Sequence, residues 1–213
     1  MKANYIKAFC FNPFSENTYL VYNDDRDAWI IDPGCYDERE EIALQSFVES
    51  HGLNPKRLLL THAHIDHIFG CKFVEKTWGL RAELNPKDQP IFDSGSGVAA
   101  MYGLQYQKPD LKSLPLEEGQ TLMLGSIEWT CIWVPGHSPG SLCFYSASDA
   151  AIIGGDVLFE GGIGRTDLPG GNHSLLLDSI KEKLFSLPKD TTVYPGHGGT
   201  TTIGQELLTN PFF

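Results

Sequence analysis

Long apolar runs are missing from this chain of 213 residues. Nothing in it approaches the ~20 consecutive apolar residues that a membrane-spanning helix needs. Clusters of lysine and arginine are missing as well. The 16 basic residues are scattered against 27 acidic ones, for a net charge of −11. That balance argues against neutralising a phosphate backbone as the main activity, so neither nucleic acid nor membrane is an expected partner. Cysteine is sparse and unpaired in pattern: Cys10, Cys35, Cys71, Cys131 and Cys143 are odd in number and form no C-x-x-C. Their spacing excludes a disulfide framework and a zinc ribbon, and fits reduced thiols. Met1 to Lys7 contains no apolar core of a signal peptide, so a cytoplasmic location is expected and the sequon Asn172-His173-Ser174 carries no meaning. No low-complexity tract or linker divides the chain, and one domain over residues 1–213 is expected.

Against these absences stands a composition ordinary for a protein with a full core, 41% hydrophobic and 20% charged. Apolar and aromatic runs at Tyr5–Phe11, Thr18–Tyr22 and Ala28–Ile31 predict strands, the last ending at the turn signal Asp32-Pro33-Gly34. Ile42, Leu44, Phe47 and Val48 have the spacing of a helix that Gly52 would stop. Leu58-Leu59-Leu60 predicts a buried strand, followed by a helix from about Ile68 to Trp78. Between Asn85 and Leu116, Pro, Gly and Ser dominate, and only short helical pieces near Gly97 to Tyr102 are expected. Strands return at Ser126–Val134, Ser141–Tyr145, Ala150–Ile153 and Thr191–Tyr194, with helices from about Ser174 to Leu187 and from Ile203. Each half runs strands before helices. That order fits an α/β protein with two sheets face to face and helices outside, a four-layer α/β/β/α sandwich.

The chemistry concentrates in His62-Ala63-His64-Ile65-Asp66-His67. With only seven histidines in the chain, shuffling would produce H-x-H-x-D-H roughly five times in ten thousand. These residue types suit Zn, Fe or Mn. In extended backbone His62 and His64 point the same way and can grip one ion, while Asp66 and His67 follow a turn and can address a second. A helical H-E-x-x-H would be a different device, with one zinc and a glutamate base. Three further candidates sit in glycine-flanked loops after apolar runs: His137 in Pro135-Gly136-His137-Ser138, Asp156 after Gly154-Gly155, and His197 in Pro195-Gly196-His197-Gly198.

In this order and coverage the motifs resemble those of the metallo-β-lactamase-fold superfamily, within it the glyoxalase II-like branch. The segment Gly164-Arg165-Thr166-Asp167 is similar to one in that branch. The resemblance implies the α/β/β/α sandwich and two divalent metal ions, zinc first, with iron or manganese as alternatives. It implies His62, His64 and His137 on one ion, Asp66, His67 and His197 on the other, and Asp156 bridging. Full-length glyoxalase II carries a helical extension that supplies much of its glutathione site. This chain is similar instead to the short bacterial type without it.

The expected reaction is hydrolysis of a small-molecule thioester of the S-lactoylglutathione type by a metal-bridging hydroxide, which Asp66 would hold in line as the catalytic carboxylate. The rival enzyme is a persulfide dioxygenase, in which a single iron would use His62, His137 and Asp156. Lactone and β-lactam hydrolysis belong to the same fold. A metal-stabilised binding module is the non-enzyme alternative, although closed structural sites favour cysteine ligands. Arg165 could meet a substrate carboxylate or pair with Asp167. Tyr145 and Tyr194 are expected to be packing residues.

Overall fold

Side chains alternate faces along the first strands, and both faces are apolar, so the sheet they form is covered on both sides. In the computed structural model, which describes residues 4–213, that sheet runs β1 (Tyr5–Phe11), β2 (Glu16–Tyr22), β3 (Asp27–Ile31), β4 (Asn54–Leu59), β5 (Ala82–Leu84) and β6 (Leu114–Pro115), in that spatial order. The first three are antiparallel, and β3 to β6 are parallel. The second sheet begins with β7 (Thr121–Leu124), β8 (Ile127–Trp133), β9 (Leu142–Ser146) and β10 (Ala151–Gly155). A small hairpin follows, β11 (Leu158–Phe159) with β12 (Gly162–Ile163). Strands β13 (Thr192–Pro195) and β14 (Thr201–Thr202) then complete the sheet beside β10.

Three apolar layers lie between four structural ones. Leu20, Ile30 and Leu58 pack outward against the helical residues Leu44, Val48 and Val74. From the other face of the same strands, Tyr19, Val21, Trp29 and Ile31 meet Trp129, Phe144 and Ile153 of the second sheet. Behind that sheet, Cys143, Ile152 and Val193 pack on Leu176, Ile180 and Ile203. The helices are α1 (Glu38–Ser50), α2 (Ile65–Ile68), α3 (Cys71–Trp78), α4 (Gln89–Met101), α5 (His173–Ser179, continued by a π turn) and α6 (Ile203–Thr209). The expected α/β/β/α sandwich is the observed fold. None of the helices among the described residues is long and apolar enough to cross a membrane.

Two segments depart from the expectation. The helix expected from Ile68 is broken at Gly70, whose N–H donates to Pro33 O at 2.7 Å. And α4 is a full 13-residue helix where only short pieces were expected. Its glycines and serines are poor helix formers. Packing of Phe92, Gly95 and Ala99 against the core holds it together, with Pro90 in the first turn, where a missing N–H costs nothing.

Candidate metal centre

Strand direction brings the motifs together. β10 and β13 are parallel neighbours, and β8 runs the same way, being antiparallel to β9, which is antiparallel to β10. The carboxyl ends of these three strands therefore share one edge, from which the loops bearing His137, Asp156 and His197 emerge. The first sheet joins at that edge through Leu142 N to Thr61 O (2.8 Å) and Asn17 N to Gly196 O (2.7 Å), so the loop after β4 meets the others there. A one-turn helix, α2, then carries Asp66 and His67. Gly155 kinks out of β10 at φ +52°, where a side chain would strike Thr61, and so turns Asp156 away from the sheet.

All seven predicted residues converge. His62, His64 and His137 form one group and Asp66, His67 and His197 another, each with potential ligand atoms within 4.8 Å of one another. Asp156 stands between them: Oδ1 lies 3.4 Å from His67 Nε2, while Oδ2 lies 3.7 Å from His137 Nε2 and 3.5 Å from His197 Nε2. None of the five cysteines belongs to either group.

The outer ring nitrogens explain how the inner ones are aimed. His137 Nδ1 lies 2.8 Å from Arg165 O, and His67 Nδ1 lies 3.1 Å from Asp32 Oδ2. His197 Nδ1 lies 3.1 Å from Phe14 O. His62 Nδ1 lies 3.0 Å from Thr61 Oγ1, a hydroxyl that already donates to Asp32. Each Nδ1 is thereby turned outward and each Nε2 inward, and on the neutral rings of His62 and His137 the Nε2 lone pair faces the cluster. His62 Nε2 and His137 Nε2 then face each other at 3.1 Å. Two lone pairs at that distance repel unless a cation lies near both. His64 Nε2, His67 Nε2 and Asp156 Oδ1 are also buried without a hydrogen-bond partner. These residues fit a divalent metal.

Charge follows the same division. Burial, reinforced by neighbouring histidines, pushes His62 well below the usual histidine range and His64 down to about 3, so both are neutral. Burial opposes protonation of His67 and His197 too, but Asp66 and Asp156 outweigh it, raising His67 well up and His197 to about 10. The histidines of the second group thus face two carboxylates, Asp66 and Asp156. Gly196 lets the group close up: a Cβ there would stand 2.1 Å from Asp156 Oδ1 and 2.7 Å from His67 Cε1.

Two supporting carboxylates escape the motif reading. Asp32, in the segment read only as a turn, accepts from Thr61 N (2.7 Å) and Thr61 Oγ1 (2.5 Å) besides facing His67. Asp32 could itself join His62 and His67 around an ion, but its oxygens are already engaged by these donors, so bracing is its role. Asp88, wholly buried, accepts from Ala63 N at 2.9 Å, Gly140 N at 2.6 Å and the Ser138 hydroxyl. It ties the first histidine loop to the His137 loop. Its only sequence signal was a helix-initiating Asn85-Pro86-Lys87-Asp88 turn.

Beside the cluster lies a cavity of about 520 Å³. Helix α4 gives one wall and the segment from Phe159 to Pro169 another. Arg165 lines it, but its guanidinium is paired with both oxygens of Asp167, at 2.7 and 2.8 Å. Tyr194 packs between the sheets and Tyr145 behind the second one, as expected of packing residues.

A histidine–carboxylate cluster at an apolar cavity, on a sandwich of this topology, defines a class, the metal-dependent hydrolases. The family described as the metallo-beta-lactamase superfamily matches residues 11–197, and the chain belongs to it. Over 205 residues, 93% of either chain, it is 39% identical to hydroxyacylglutathione hydrolase GloC of Haemophilus influenzae. Among solved structures it is similar to the BLEG-1 B3 metallo-beta-lactamase at TM-score 0.87 and 40% identity, covering 98% of this chain and 99% of that one. It is equally similar to TTHA1623 in a di-iron-bound form, at TM-score 0.87 and 40% identity, covering 97% of this chain and all (100%) of that one.

Proposed function

We propose that this metallo-hydrolase binds two divalent ions, zinc in the first instance, and cleaves thioesters of the S-lactoylglutathione type in the cytoplasm. The observation that carries the two-ion reading is the stance of Asp156, which offers one oxygen to His67 and the other to His137 and His197. His62, His64 and His137 would hold one ion, Asp66, His67 and His197 the other, with Asp156 shared. The di-iron form of TTHA1623 supports a two-ion count, and five free cysteines support a reducing compartment. Bound there, such ions would supply a water of pKa ~7 as nucleophile and would stabilise developing oxyanion charge.

The chain's own residues do the remaining work. Asp66 is kept ionised although burial opposes it, because His67 and His197 lie beside it. Its carboxylate is the group that orients the nucleophilic water and takes its proton. Apolar side chains make up most of the cavity wall beside it. Outside the metal cluster, the cavity lining contains no carboxylic acid and no imidazole to protonate a leaving group. A thiolate, with a thiol pKa of about 8.5, leaves without one, whereas the amine of a β-lactam or amide needs a proton. That difference favours a thioester, as does the name of the GloC relative.

The test is a substrate panel on metal-loaded protein: S-lactoylglutathione, a lactone, a cephalosporin, and glutathione persulfide in an oxygen electrode. Thioester cleavage should dominate. Oxygen uptake on the persulfide, or faster opening of the β-lactam, would overturn the reading.

A further inference from the structure

A lactoyl group is small and carries a hydroxyl, and most of the cavity offers neither the size nor the polarity to match it. Helix α4 presents Ile91, Val98 and, just past its end, Tyr102 to the cavity, at the spacing of one helical face. Phe159, Ile163 and Leu168 line it from the chain segment after Asp156. Between these walls the polar lining is the metal cluster with Ser94 and Arg165. Ser94 Oγ is turned back onto Ile91 O at 2.8 Å, and Arg165 is engaged by Asp167. An S-acylglutathione brings two carboxylates and an ammonium, and Arg165, the one Lys or Arg in the cavity lining among the described residues, is already paired with Asp167.

From these observations we infer that the site selects thioesters by an apolar acyl group longer than lactoyl, lodged between Ile91, Val98 and Tyr102 on one side and Phe159, Ile163 and Leu168 on the other. The carrier thiol is left outside this wall and contributes little to recognition. This specificity rests on the thioesterase reading above. The reaction is balanced by water alone: the C–S bond breaks, a C–O bond forms, and the products are a carboxylate, a thiol and one proton.

The experiment is an acyl series on one carrier, with acetyl, lactoyl, butyryl, hexanoyl and octanoyl thioesters of N-acetylcysteamine, repeated on glutathione. Burial of each added methylene corresponds to about a fourfold gain in kcat/KM until the cavity is full. The gain should be the same on both carriers, and hexanoyl should exceed lactoyl on either. Val98→Asp, which places a charge in the wall, should lower the octanoyl-to-acetyl ratio of kcat/KM by ~10-fold or more. The metal-free wild-type chain supplies a readout independent of turnover. In calorimetry S-octyl-N-acetylcysteamine should bind it more tightly than the S-ethyl analogue.

Equal binding of the two thioethers, or kcat/KM falling as the acyl chain grows while lactoyl and acetyl thioesters are still cleaved, overturns the inference and leaves the thioesterase reading standing. No cleavage of any thioester by metal-loaded protein overturns both.

Discussion

Asp32 sits in left-handed backbone at φ +49°, a conformation that costs a non-glycine residue energy and is kept only where the surroundings demand it. Two hydrogen bonds from Thr61 and the approach of His67 Nδ1 make that demand. Asp32→Asn keeps the shape and removes the charge that fixes the His67 tautomer. Metal affinity should fall by ~10- to 100-fold, as losses of such partners do, read by competition with a chelator; unchanged affinity would show that Asp32 only shapes the turn. Gly196→Ala tests the packing of the same group, since its methyl would overlap Asp156. One ion per chain should be lost on dialysis, measured by elemental analysis, while retention of both would contradict the placement. At this scale the residues that cluster were legible and their supports were not. The histidine spacing is dense enough to stand out in one dimension. Asp32 and Asp88, by contrast, act on residues 29 and 50 positions away, Thr61 and Ser138, and locally each looks like a turn or cap.

Most strands, and helices α1 and α6, could be read from alternation and apolar spacing, because packing there agrees with local preference. Helix α4 could not, since its stability comes from tertiary burial that overrides its composition. The same holds for the segment after it. Glu75 on α3 accepts from Asp110 N at 3.0 Å and Leu111 N at 2.8 Å, and from Lys72 at 2.6 Å. Burial alone would raise its pKa, but Lys72 and the two backbone donors outweigh it and hold the carboxyl below the usual glutamate range. A depressed folded pKa means stabilisation that is complete above the unfolded value and fades as pH falls through the folded one. Glu75→Gln should therefore be less stable than wild type at pH 7, with the gap narrowing toward pH 3. Denaturant titration at both pH values checks this, and a gap constant with pH would contradict it.

For the whole molecule, the two halves are joined by an apolar seam between the sheets, where Trp29 and Trp129 meet at 6.1 Å with rings inclined by 66°. Both are fully buried. Trp29→Ala should cost about 3–5 kcal/mol, seen as a lower urea midpoint. Because the seam ends at the edge bearing the metal loops, the same variant should also bind metal less tightly. Loss of stability with metal affinity intact would separate seam from site. The layering itself was foreseeable from the order of strands before helices in each half, but not which loops would meet, since that depends on strand direction in two different sheets.

The proposed centre uses two ions to hydrolyse a thioester. It is tested most directly by titrating zinc into the metal-free chain while following S-lactoylglutathione cleavage. Activity should be complete only at two equivalents per chain, and Asp66→Asn, loaded to two equivalents, should turn over ~100-fold or more slowly. Full activity at one equivalent, or an Asp66→Asn enzyme as fast as wild type, would contradict it.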